Sequence, residues 1–266
     1  MVQDASNRDR VHPAGETRPG RCRRTVQPPG ARPLKSTKRH ALHAGTLTFV
    51  QEKIAARDQT IGTWLESLAS SMPAPGGGAA AALNAAIGAA LIEMACNLTI
   101  GRPRYAQHEA EMRAVLAEAT ELRNSAMRLA ADDARAYGDV SQAYTLPRET
   151  DAQRPVRTEQ LQNALVAATE VPLETAMVAS EIIQLAGRVV DRANINVLAD
   201  VAAATVSARA ALEAALISVE ANLGSISDHG RVKEFTARMT AVSWLVAEAE
   251  RAVHSIRSKI TPMNAR

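Results

Sequence analysis

Apolar residues recur at helical spacing through six segments, each closed by proline, glycine or a polar cluster. Thr60 is placed to cap a first helix to about Ser71, with Ile61, Trp64, Leu65 and Leu68 on one face. Residues 46–57 offer a further turn or two before it. Pro73-Ala74-Pro75-Gly76-Gly77-Gly78 stops this helix, and a second runs from about Gly78 to Thr99. Its Ala79, Ala82, Ala86, Ala89 and Ala90, with Gly88, let neighbouring helices approach closely. After Gly101-Arg102-Pro103 a long amphipathic helix spans about Tyr105 to Tyr144, ended by Pro147 and a polar loop over 148–155. A fourth helix covers about Val156 to Ala186, with Pro172 expected to kink it near Thr169. A turn at Asp191–Asn194 leads to a fifth, from about Asn196 to Leu223. Asp228 or His229 opens a last one, through about Ile260. No stretch alternates with the period of a strand. Long helices with short connections predict an all-α fold, a bundle of about six long, mostly antiparallel helices.

Composition supports this and separates a tail from a body. Alanine dominates, and only seven residues are aromatic. Residues 1–45 carry ten basic and three acidic side chains, a balance of +7 against +3 for the whole chain, which leaves the body at −4. The basic pI therefore belongs to the tail, and nothing in the charge points the body, 46–266, to nucleic acid. The tail is rich in Arg, Pro, Gly and Ser without apolar period, so it reads as disordered. It is open between a nucleic-acid arm, a targeting peptide and a start codon set too far upstream, the last favoured. Two cysteines make no disulfide framework, and Cys96 falls in an apolar helical run as a small core residue. The N-terminus lacks the long apolar stretch of a signal peptide, and the run Ala79–Cys96 contains Asn84 and Glu93. A soluble, cytoplasmic protein without a membrane span is the expectation.

Four stretches carry candidate chemistry. Gly76-Gly77-Gly78 opens a helix, where exposed N–H groups and the helix dipole favour electron-rich ligand atoms; taken alone, a flexible connector is the commoner use. No Lys-Ser/Thr follows, so this is no P-loop. In Asn97-Leu98-Thr99-Ile100-Gly101-Arg102-Pro103-Arg104-Tyr105, two arginines beside a tyrosine suit a carboxylated ligand, or a solvated loop equally well. Asp132-Asp133 point about 100° apart on the long helix, so one faces the bundle core. A carboxylate buried there has its pKa raised and can shuttle a proton; the alternative is a surface Asp paired with Arg128 or Arg135. Asn194 or Asn196 suits an N-cap for the fifth helix, with Asp200 one turn in, either beside the same opening or simply stabilised by the helix dipole. No metal-ligand spacing appears.

The run from Ser70 to Tyr105 resembles the opening of the formiminotetrahydrofolate cyclodeaminase and methenyltetrahydrofolate cyclohydrolase family. Asp133-Ala134-Arg135-Ala136-Tyr137, Leu146-Pro147, Glu170-Val171-Pro172-Leu173, Asn194-Ile195-Asn196, Asp200 and Asn222-Leu223 follow in the family's order, so that the likeness covers roughly 58–230. Ala79, Ala199, Ala202 and Ser218 depart from residues usual in it, and Arg102 and Arg104 replace a lysine-rich segment. The resemblance implies a dimeric all-helical enzyme that takes a tetrahydrofolate derivative as substrate, polyglutamylated or not, and holds no tightly bound cofactor. It makes Gly76, Gly77, Gly78, Asn97, Arg102, Arg104, Tyr105, Asn194 and Asn196 substrate-binding candidates. Asp133 is the first choice for acid/base and Asp200 the second, because the lysines and histidines of the body fall outside the motifs. The glycine loop, Asp133 and Asp200 are expected to converge on one cleft in the dimer. The absence of a formiminotransferase portion favours the cyclohydrolase, which forms 10-formyltetrahydrofolate, over the ammonia-releasing cyclodeaminase. A third reading is a non-catalytic helical adaptor that binds through its basic tail; removing residues 1–45 would abolish binding by an adaptor and spare an enzyme.

Overall fold

The computed structural model describes residues 58–261, within the second of the chain's two units, Glu52–Arg266. The expected tail and the further helical turns over 46–57 lie outside the described residues. Seven α-helices follow in order: α1 (Ile61–Ala69), α2 (Gly77–Asn97), α3 (Glu109–Thr145), α4 (Gln153–Val189), α5 (Leu198–Leu223), α6 (His229–Ser243) and α7 (Leu245–Ile260). Short 3-10 turns, Pro103–His108 and Ile195–Val197, lead into α3 and α5. Among the described residues there is no strand.

Cross-helix contacts fix the directions. Ala79 of α2 meets Asp133 of α3, and Glu93 meets Arg123, so these two helices are antiparallel. Arg188 pairs with Glu118, and Arg157 reaches Tyr144, so α3 and α4 form an antiparallel hairpin. Asn194, just before α5, bonds to Thr99 just after α2, and Gly88 faces Ala204 and Ala208, so α2 and α5 are antiparallel as well. At Gly88 a Cβ would stand 3.1 Å from the carbonyl oxygen of Ala204. This close approach is what the alanines at 81, 85, 89, 204, 208 and 211, all buried, are for. Cys96 lies in the same core, where burial pushes its thiol up to about 11 and leaves it inert.

The caps behave as the sequence suggests. Thr63 N–H donates to Thr60 Oγ1 at 3.1 Å, and the N–H groups of Gly230 and Arg231 donate to Asp228 Oδ1. Two boundaries differ. α4 begins at Gln153, not near Val156, because Pro155 sits in the first turn, where its missing N–H has no intrahelical acceptor to lose. The single last helix is two: the Ser243 hydroxyl and the Trp244 indole N–H donate to the carbonyls of Thr240 and Ala241, and the break falls at Trp244.

Pro172 does not break α4. Its absent N–H leaves the carbonyl of Ala168 without its helical donor, and the Asn222 side-chain amide donates to that oxygen at 3.0 Å. Two of the helices, Gly77–Asn97 and Ile195–Leu223 with its leading turn, are long and apolar enough to cross a membrane by length and composition. Both are paired in the bundle, yet only about half of each apolar window is buried there.

Candidate functional site

α2 starts at Gly77 with Gly76 as its N-cap, and Gly76 supplies no side-chain acceptor. The first N–H groups of a helix lack partners and must find them elsewhere. Asp133 reaches across from α3 and accepts the Ala79 N–H at 2.9 Å through Oδ2. The carboxylate comes so close that a Cβ on Gly78 would lie 2.0 Å from Asp133 Oδ1. Glycine at 78 is thus a steric requirement of the acid and not only a loop breaker. The N–H groups of Gly77 and Gly78 have no acceptor among the described residues, and Gly78 lies beside the carboxylate.

Burial raises the pKa of Asp133, an effect partly opposed by the Ala79 N–H. Its neighbour Asp132 turns outward and pairs with Arg135. Of the two adjacent acids, 133 is therefore the one aimed inward, and 132 has the surface role.

The remaining candidates gather at the other end of α2. Asn97 is its last residue, and Gly101, with φ 76°, turns the chain into the 3-10 segment. Arg104 lies over the Tyr105 ring, 5.8 Å from its centroid. The Tyr105 hydroxyl accepts the Ile195 N–H at 3.1 Å, and Thr99 Oγ1 accepts the Asn194 N–H at 2.9 Å. Neither asparagine caps α5, whose N-cap is Val197 without a side-chain bond; Asn194 caps the 3-10 turn before it by accepting the Asn196 N–H. Asp200 sits in the first turn of α5, half-buried, and Arg102 and Asn196 are exposed.

In one chain, then, the expected convergence is only partial. Gly76–Gly78 and Asp133 come together; Asp200, Asn97, Arg102, Arg104, Tyr105, Asn194 and Asn196 do not join them. The antiparallel order of α2 and α5 is the reason. It lays the start of α5 against the end of α2, and 21 residues of helix are about 30 Å long. The Tyr105 hydroxyl also helps to hold the Asn194–Ile195 turn. Thr99, in sequence only one member of the Asn97–Tyr105 stretch, is the fully buried pin of that turn.

A cleft of about 1040 Å³ opens between α1, the first half of α2 and the middle of α3. Its walls are mostly apolar, among them Trp64, Leu65, Leu83, Ile87 and Met127, with Asn84, Asn124 and Arg128 at polar points. Neither Asp133 nor Asp200 lines it. α1 meets the bundle chiefly through Trp64, while Ile61 and Leu65 are exposed.

An all-helical bundle with an inward carboxylate at a glycine-opened helix start has the means for proton transfer next to free backbone donors. The family described as formiminotransferase-cyclodeaminase matches residues 60–241. A methenyltetrahydrofolate cyclohydrolase of Methylorubrum extorquens is 41% identical over 209 residues, which are 77% of this chain and 99% of that protein. The formimidoyltransferase-cyclodeaminase of Rattus norvegicus is 29% identical over 64% of this chain but only 32% of its own length. The crystal structure of a formiminotetrahydrofolate cyclodeaminase from Thermotoga maritima has the same fold, with a TM-score of 0.69 at 24% identity over 77% of this chain and 98% of that one. The chain belongs to the formiminotransferase-cyclodeaminase family.

Proposed function

We propose that this protein is a 5,10-methenyltetrahydrofolate cyclohydrolase. One observation carries the choice: the chain matches 99% of a methenyltetrahydrofolate cyclohydrolase at 41% identity, against about a third of the bifunctional animal protein. Water adds to the cationic methenyl carbon between the two folate nitrogens. Asp133 takes a proton from that water and returns it to the nitrogen that departs as the ring opens, while the carbinol hydroxyl gives its own proton to solvent and becomes the carbonyl of the formyl group on the other nitrogen. A carboxylate with a raised pKa suits both steps, and the free N–H groups of Gly77 and Gly78 suit the oxygen of the tetrahedral intermediate. Both reactions of the family act on the same one-carbon unit, so the cyclodeaminase is the second reading.

The protein acts as a homodimer in this proposal. Ile87 and Met94 of α2, with Leu98 just beyond, stay exposed on one chain, as do Val206 and Ile217 of α5. A two-fold axis at Ile87, the middle of α2, would set the start of α2 in one copy against its end in the other. Asn97, Arg102, Arg104, Asn196 and Asp200 of the second copy would then face Gly78 and Asp133 of the first. Asp200 keeps a role at the site only through such a partner, and the two arginines there would meet the substrate's carboxylates. The cytoplasmic setting expected from the sequence belongs to the same proposal.

Purified protein mixed with methenyltetrahydrofolate should deplete its absorbance faster than buffer alone, and the formimino substrate should release little ammonia. Ammonia release without methenyl hydrolysis would reverse the choice. Ile87→Glu should sediment as a monomer and lose activity; a monomeric parent protein would remove the composite site.

A further inference from the structure

We propose that the face of α3 beyond Asp133, with Arg157 of α4, is the bed for the aminobenzoyl-glutamate arm of the substrate, and that Arg157 takes a carboxylate of the first glutamate. This rests on the folate reading above and adds a binding residue to it.

At about 100° per residue, Asp133, Tyr137, Val140 and Tyr144 fall within an arc of about 60° on α3. Ala126 falls in that arc two turns earlier, with Leu129 and Ala130 about 20° outside its two edges one turn earlier, and all three are buried. The difference is α2. It covers this face of α3 up to Asp133 and begins there, at Gly77. Past its first residue Tyr137 is 45% and Tyr144 54% exposed, while Val140 between them is half-buried against the cluster of Leu165 and Phe235. In a chain with so few aromatic residues, two exposed tyrosines in line with the half-buried acid are a directional feature.

Arg157 closes the line from the neighbouring helix. Its guanidinium lies over the Tyr144 ring, 5.9 Å from the centroid, and its Nη2 donates to the Tyr144 carbonyl oxygen at 3.2 Å. It forms no ion pair with a carboxylate among the described residues, unlike Arg154 one turn earlier, which pairs with Asp151. Its Nε is buried without an acceptor. A guanidinium held in place by one carbonyl and one ring, with donors to spare, is suited to a carboxylate.

The lengths agree. Asp133 and Tyr144 are eleven residues apart, about 16 Å along the helix axis. From the methenyl carbon across a benzoyl ring and an amide to a glutamate carboxylate is roughly 10 Å by ordinary bond lengths. A hydrogen-bond contact of about 3 Å at each end fills the remainder. With the one-carbon unit at Asp133, the aminobenzoyl ring reaches Tyr137 and the first glutamate reaches Arg157.

The test compares methenyltetrahydrofolate with methenyltetrahydropteroate, which lacks the glutamate. In the unmodified protein the KM for the pteroate should exceed that for the folate by about tenfold to a hundredfold, the range of a charge-assisted carboxylate contact. In Arg157→Ala that ratio should collapse toward one, and Arg157→Lys should restore part of it. A ratio unchanged by Arg157→Ala, or a changed sedimentation coefficient in place of a changed ratio, would overturn the assignment. Calorimetry on the unmodified protein reads the bed without turnover: p-aminobenzoylglutamate should bind more tightly than p-aminobenzoate, and equal binding would also overturn it. Absence of turnover by the unmodified protein would instead defeat the cyclohydrolase reading, and the calorimetric comparison would still judge the bed.

Discussion

Replacing Gly78 by alanine separates the chemistry of Asp133 from the stability of the fold. The new Cβ would stand 2.0 Å from Asp133 Oδ1 and 2.7 Å from its Cγ, far inside contact distance. The obstacle is the end of a side chain and not backbone, so the carboxylate swings away and the helices stay where they are. Losing its bond to the Ala79 N–H costs about 0.5–2 kcal/mol, the range for a helix cap. Alanine for glycine in a helix returns up to about 1 kcal/mol, less near a terminus. Leaving a buried position also relieves the desolvation of the carboxylate. The net change in unfolding free energy should therefore stay within about 1 kcal/mol. Activity should not be spared, since a misplaced acid/base group forfeits about a hundredfold to ten-thousandfold in rate. Gly77→Ala is the matched comparison, because a Cβ there meets nothing within 4 Å, and it should retain far more activity. The assay is methenyltetrahydrofolate hydrolysis followed by absorbance, with denaturant unfolding of both variants alongside. A Gly78→Ala protein with kcat/KM within a few-fold of the parent would refute the steric argument and the role of Asp133 together.

Asp133→Asn should abolish turnover and leave the far-ultraviolet helical signal intact; normal turnover would remove the residue from the mechanism. Because burial raises the Asp133 pKa, the folded state holds this proton above the unfolded pKa, and its contribution to stability falls as pH rises from the unfolded to the folded pKa. The melting temperature of Asp133→Asn should thus gain on the parent across that window, and kcat/KM of the parent should rise through the same window if the carboxylate form is the working base. Asn222→Ala should destabilise by about 1 kcal/mol, since it strands the half-buried Ala168 carbonyl, as read by urea unfolding. Arg102→Ala should weaken polyglutamylated folate more than the monoglutamate, and equal effects would count against a part in binding the tail.

Much of the fold was legible because alanine spacing and the Pro/Gly breaks are local signals. Thr60 and Asp228 as caps and the small-residue contact at Gly88 all follow from neighbours in sequence. The split at Trp244 was not legible, because it turns on a hydroxyl and an indole competing for carbonyls within an otherwise even helical pattern. At the site, periodicity said that one of Asp132 and Asp133 faces inward but not which one; that depends on where α2 begins. Asp200 was grouped with Asp133 on motif order alone. Motif order carries no information about which end of an antiparallel partner a residue lies against, and that end decided its place.

The bond between Asn222 and Ala168 has a consequence for how this chain can vary. A proline within a helix creates a vacancy at one carbonyl, and here a side chain from another helix fills it. The two residues therefore act as a single heritable unit. An ancestor with an ordinary residue at 172 would have had no need of an amide at 222, and a descendant that lost the amide first would carry an unmet acceptor in its interior. An order in which the amide arrives before the proline and leaves after it avoids that unmet acceptor.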